Sequence, residues 1–148
     1  MGYGFAIVTG SGSAPLVPEL MDAITEVRVE EELSKPTRFA IRFDEDLCEG
    51  EPATLRAGSL RSGEILGVIA WTAAEEPICL VQGPITRMKS SMVTGGPGSW
   101  LEVHGEDLRK IMDRETVNAA WEGLGSDIAS AVHGNHGFDL LVTATTRP

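Results

Sequence analysis

The stretch "AITEVRVEEELSKPTRFAIRFD", Ala23 to Asp44, decides the fold class. Its first half alternates, with Ala23, Thr25, Val27 and Val29 on one side and Ile24, Glu26, Arg28 and Glu30 on the other. That is the period-two signature of a half-exposed strand. "ELSKPTR" supplies a turn, and the second half sets Phe39, Ile41 and Phe43 against Arg38, Ala40, Arg42 and Asp44. Aromatic and β-branched residues suit a pleated surface with one buried face, so the two halves predict an antiparallel pair with an aromatic-rich inner side.

The same texture extends in both directions. Upstream, an apolar run from Phe5 to Val8 passes into a Gly/Ser segment closed by Pro15 and Pro18, a short strand or arm followed by a loop. Downstream, a polar stretch interrupted by Gly50, Pro52, Gly58 and Gly63 leads to "ILGVIAW" (65–71), the loop "TAAEEP", then "ICLVQGPITRMKSSMV" and the tight turn "TGGPGSW". In "WLEVHG", Leu101 and Val103 alternate against Trp100, Glu102 and His104, and Gly105 is read as the end of this strand. Short strands with Gly/Pro punctuation favour a barrel or sandwich. After residue 105 the period changes. "EDLRKIMDRE" places Leu108, Ile111 and Met112 at helical spacing with acids first, which suits a short helix and its dipole. A second helix is predicted from Ser126 as N-cap, with Asp127 in its first turn, an apolar stripe of Ile128, Ala129 and Val132, and Gly134 as its stop. "FDLLVTAT" (138–145) reads as one more strand. The expectation is a mainly β chain, with residues 1–104 as a barrel region and 105–148 as a helical insertion leading toward a further region.

The 148 residues suffice for one sizeable core, and the formal net charge of -10 argues against a phosphate backbone as partner. No apolar run approaches a membrane span, and no basic, apolar and cleavable leader opens the sequence, so synthesis in the cytoplasm is expected. Cys48 and Cys79 have no metal-type spacing and read as free thiols, with a bridge between them as the alternative.

Three constellations could carry chemistry. "AIVTGSGSAP" resembles a phosphate-cradling glycine turn around Gly10 and Gly12, but Pro15 and Pro18 leave little room for the helix that such a turn requires. His133 and His136, with His104, Cys48 and Cys79, could be assembled into a zinc site, yet Gly134 breaks the helix that would orient the pair, and a helix end capped by His133 is the simpler reading. "LEVHGEDLRKIMDRE" (101–115) gathers His104, Glu106, Asp107, Asp113 and Glu115. Glu106 and Asp107 are adjacent and point about 100° apart on a helix. The others lie among Arg109, Lys110 and Arg114, so the cluster reads as capping and solvated charge, not as an acid/base pair. No catalytic residue, metal ligand or cofactor is expected.

The order of these features resembles the N-terminal part of the late control D family of contractile-tail hub proteins, a family related to the spikes of type VI secretion. The resemblance rests on Gly83, Ile85 and Thr86; on Val103, Gly105 and Asp107; on Leu108, Met112, Asp113 and Arg114; and on Trp121 and the run Ser126 to Ala129. It implies a tail-tube-like antiparallel β-barrel and a structural baseplate subunit that joins tail tube to spike as a homotrimer. Its partners would be the inner tube protein, the spike protein and other baseplate subunits, with neither nucleic-acid binding nor membrane insertion. It also implies a longer protein, so that this chain is read as a fragment or the rest as disordered or separately encoded, made in the cytoplasm and then built into a phage tail or tail-like particle. The rival readings are a small metal- or nucleotide-dependent enzyme and a β-sandwich binding module. The face of Phe39, Ile41 and Phe43 is expected as core, and the loops around Glu45–Glu51 and Ser90–Gly98 as contacts.

Overall fold

A computed structural model describes residues 3–45, 54, 58, 60–72, 76–93, 97–110, 118–135 and 141–146. The chain forms two compact units, Met1–Arg109 and Lys110–Pro148.

The first unit is built from β1 (Tyr3–Thr9), β2 (Ala14–Pro15), α1 (Pro18–Asp22), β3 (Ile24–Glu30), β4 (Arg38–Glu45), β5 (Ile65–Thr72), β6 (Ile78–Ser91) and β7 (Ser99–Glu106). They make a seven-stranded antiparallel sheet in the order β2-β1-β5-β6-β7-β4-β3. β6 serves two ladders. Its first half, through Pro84, pairs with β5, and from Ile85 onward it pairs with β7. The sheet thus has two halves that meet at Gly83–Ile85, the first built on β1 and β5, the second on β7, β4 and β3.

The expected pair of β3 and β4 forms as read, with Phe39, Ile41 and Phe43 buried on the inner face. They meet Leu101 and Val103 of β7, Ile7, Leu66, Val68 and Val81 of the other half, and Ile85 at the join, in one core. Removing a side chain of this kind fully from water contributes about 1.5–3 kcal/mol, so this cluster dominates the unit's stability.

The barrel itself is not closed. β2 has two residues, and the chain then turns through Pro18 into α1, whose Leu20 is buried in the core. Prolines remove ladder donors, and a helical turn satisfies its own backbone, so β2 and β3 are joined by α1 and not by a ladder. Among the described residues, the sheet keeps two open edges.

Two further readings change in this unit. A bulge at Thr25 separates the pairs Ile24↔Phe43 and Glu26↔Arg42, so Ile24 packs on the core with Val27 and Val29 while Thr25 is exposed. One inserted residue exchanges the sides of Ile24 and Thr25, while Ala23, just after α1, also packs on the core. Gly105 does not end β7, because the strand runs on to Glu106. A Cβ at Gly105 would sit 2.1 Å from Phe39 Cζ and 2.6 Å from the Pro84 carbonyl oxygen, so this glycine admits a core ring and the crossing strand. Gly83 is equally interior, since a Cβ there would lie 1.7 Å from the Glu106 carbonyl oxygen. What reads as punctuation is close approach of backbones at the corner.

In the second unit, α2 spans Gly125–Gly134 and carries the expected half-buried stripe of Ile128, Ala129 and Val132. Ser126 is not its cap. Leu124 holds that position without a side-chain hydrogen bond, and the Ser126 N–H donates to Thr145 Oγ1 at 3.1 Å. A hydroxyl distant in sequence thus satisfies an amide that local chemistry leaves open. Leu141–Thr145 is not a strand, for no described segment of this unit offers it a ladder, and Leu141 is fully exposed. The helix predicted from Glu106 is seen only as a 3-10 turn over 108–110; residues 111–117 lie outside the described residues.

Candidate functional site

The outer face of the β6-β7-β4-β3 half gathers much of the chain's positive charge. Of 12 Lys and Arg residues, five stand on its strands: Arg28, Arg38, Arg42, Arg87 and Lys89. Register arranges them against acids. Glu26, Arg42, Glu102 and Lys89 are consecutive cross-strand neighbours from β3 to β6, and Glu30, Arg38 and Glu106 form a second row. Opposite charges directly across a ladder contribute about 0.2–1 kcal/mol each, and like charges would oppose pairing, so these rows favour the observed register.

Glu102 is the hub of the first row. Its Oε2 accepts hydrogen bonds from Arg42 Nη2 at 2.8 Å and Nε at 3.2 Å. Lys89 Nζ stands 3.9 Å from Oε1, and His104 Nε2 lies 2.7 Å from the same oxygen, an ion-pair contact when the ring is protonated. The Arg42 guanidinium also stacks 4.6 Å from the centre of the Trp100 ring, a cation–π contact that fixes its plane. Burial pushes the Glu102 carboxyl up, but the hydrogen bonds and charge of Arg42 and the contact with His104 outweigh it and hold the carboxyl below its usual range. A carboxylate held this way stays ionised at neutral pH and is poorly suited to donate a proton.

Beside this row, Arg38, Phe39, Thr86, Arg87, His104, Gly105 and Glu106 line a cleft of about 330 Å³. Arg38 pairs with Glu106 at 3.4 Å. The acids singled out in the sequence accordingly divide. Glu106 belongs to the ladder, while Asp107 accepts the Arg109 N–H at 2.6 Å and the Arg109 Nε at 2.8 Å, which closes the turn after β7. That is the capping role expected of it. Asp113 and Glu115 lie outside the described residues.

The remaining candidates do not converge. Gly10 and Gly12 sit in a turn that leads from β1 into β2, with the Ser13 N–H donating to the Gly10 carbonyl, so no helix N-terminus faces them. His133 shares a 2.8 Å hydrogen bond from Nδ1 to the Ala129 carbonyl of its own helix. Cys79 is exposed on β6 with its thiol toward the Val81 carbonyl, and Cys48 and His136 lie outside the described residues. Among the described residues, no group of three or more His, Cys, Asp or Glu could hold a metal, and no helix is long and apolar enough to cross a membrane.

Of the expected contact loops, Glu45 turns inward instead and is 5% exposed, with Thr54, Met88 and Leu101 around it; residues 46–51 lie outside the described residues. Ser90 and Ser91 belong to β6, and the Val93 N–H donates to Ser99 Oγ at 2.9 Å. Sequence reading did not find the Glu26–Arg42–Glu102–Lys89 row. The alternation of Arg38, Ala40 and Arg42 signalled an outer face, but the partners depend on register.

No protein-family model and no curated protein sequence matches the chain. Among solved structures it is similar to a tail protein from Neisseria meningitidis MC58, with a TM-score of 0.55 and 16% identity. The match covers 91% of this chain and 34% of that one, so this chain spans about a third of the length of its structural relative. At that identity the likeness establishes a shared fold.

Proposed function

We propose that the chain is a structural component of a phage-tail-like particle, and more closely the N-terminal part of a baseplate hub that joins tail tube to spike in a contractile machine. The observation that carries this reading is the fold shared with a tail protein across 91% of the chain. The sheet supports it in kind, since open edges and a charged, register-locked face suit a part that works by packing against neighbours. In this reading the chain performs no catalysis. It assembles as a homotrimer in the cytoplasm, meets tube, spike and baseplate subunits, and neither binds nucleic acid nor enters a membrane.

The test is structural. A reconstruction of particles from the source organism should show threefold density between tube and spike that accepts this chain. Placement on a sheath, or recovery only as a free protein, overturns the hub. Metal analysis and nucleotide calorimetry on the purified chain address the enzyme reading; stoichiometric zinc or micromolar nucleotide affinity overturns the structural role.

A further inference from the structure

Between the two charged rows of the outer face runs a third, and it contains no acid. Arg28, Ala40, His104 and Arg87 are consecutive cross-strand neighbours from β3 to β6. Four of the five cations on this face meet a carboxylate: Arg28 pairs with Glu26, Arg38 with Glu106, and Arg42 and Lys89 share Glu102. Arg87 is the exception. Among the described residues its side chain makes no ion pair or hydrogen bond, and it stands directly across the ladder from His104, whose charge is either zero or positive.

A bulge puts Arg87 there. Ile85 pairs with Gly105 and Arg87 with His104, so Thr86 is the extra residue of β6. Two successive side chains thereby reach one face, and Thr86 and Arg87 are both exposed where a regular strand would send one of them inward. Both line the 330 Å³ cleft, together with Arg38, His104 and Glu106.

Charge and shape limit what fits. The cleft holds one cation without a carboxylate and already includes Glu106, so a single negative charge completes the row, whereas a second one is opposed. Its exposed side chains on a sheet face can envelop little of a small molecule, while small-ligand sites bury most of theirs. The anion must then be carried by a larger body. A second copy is disfavoured, because two chains of net charge -10 repel. We infer that this cleft is a docking point for one side-chain carboxylate, an aspartate or glutamate on the face of a different protein. The Arg87 guanidinium is its principal donor. The Thr86 hydroxyl, which otherwise reaches the His104 carbonyl at 3.4 Å, is a second. The inference goes beyond the proposed function and does not depend on it, since any partner can offer a carboxylate.

The test is NMR of the full chain at constant ionic strength, with acetyl-Gly-Glu-Gly-amide as the probe. Shifts at the Thr86 and Arg87 amides and the His104 ring should saturate with a Kd on the order of 10 mM, the strength of about two charge-assisted hydrogen bonds. The matching glutamine peptide should not produce them. Arg87→Gln should weaken binding about 10-fold, and Arg87→Lys, which keeps the charge but not the planar fork, should weaken it less. Arg61→Gln, outside the cleft, should leave it unchanged. Arg87 is exposed, so the variants should keep native far-UV circular dichroism.

No saturation by about 100 mM, equal binding of the glutamine peptide, or binding indifferent to Arg87→Gln overturns the docking point. Inorganic phosphate that binds these residues more tightly than the peptide overturns the carboxylate. Self-association of the parent chain that Arg87→Gln abolishes overturns the assignment to a different protein.

Discussion

Replacement of Gly83 by alanine tests the corner where β6 passes from one ladder to the next. A Cβ at this position would lie 1.7 Å from the Glu106 carbonyl oxygen, 2.7 Å from its carbon and 3.0 Å from the Asp107 carbonyl carbon. These are backbone atoms of β7 and the residue that follows it, and they have no rotamer through which to escape. The strands must separate by more than about 1 Å at a point held by the Ile85↔Gly105 rung and by the 2.9 Å hydrogen bond from the Asp107 N–H to the Thr37 carbonyl. Overpacking of this severity costs about 3 kcal/mol, and loss of the adjoining hydrogen bond adds about 1. Against this, alanine restricts the unfolded chain and returns about 0.4–1 kcal/mol. The net loss of about 3 kcal/mol should lower Tm by about 10 °C in a thermal melt followed by circular dichroism. Gly12→Ala is the matched control, because nothing lies within 4 Å of its built Cβ, and it should melt at the parent temperature or slightly above. A Gly83→Ala protein that melts with the control would refute the close approach.

Two other outcomes follow from the site and from the second unit. Glu102 has its folded pKa held below the usual carboxylate range, so its contribution is complete above about pH 4.3, the ordinary value, and is lost as pH falls through the folded pKa. In denaturant titrations, the stability gap between the parent chain and Glu102→Gln should narrow as pH falls below about 4.3; a gap that widens there would contradict the ion-paired geometry. Thr145→Val removes the hydroxyl that accepts the Ser126 N–H and should loosen the first turn of α2 by about 1 kcal/mol, read as faster exchange at the Ser126 amide with β-sheet amides unchanged.

The inner face of β4 was legible because period two is a local property. Phe39, Ile41 and Phe43 are buried wherever the strand is placed, provided that one face meets a core. The same rule misassigned the start of β3, because a bulge at Thr25 has no signature of its own and is visible only in the pairing with Arg42 and Phe43. The site was half legible. Asp107 and Arg109 close their turn within two residues, and capping of this kind can be read from sequence. Glu102 is 60 residues from Arg42, and nothing local to either announces the partnership.

By itself, the sequence determined a mainly β chain, the core face of β4 and the capping chemistry after β7, all consequences of composition and of spacing within a few residues. Tertiary structure alone decided that the sheet stays open across α1, that Gly105 is not a strand end, and that it and Gly83 mark a crossing. It also decided which charges stand opposite one another. Each of these depends on what lies across a ladder, and a ladder partner is set by the packing of segments remote in sequence.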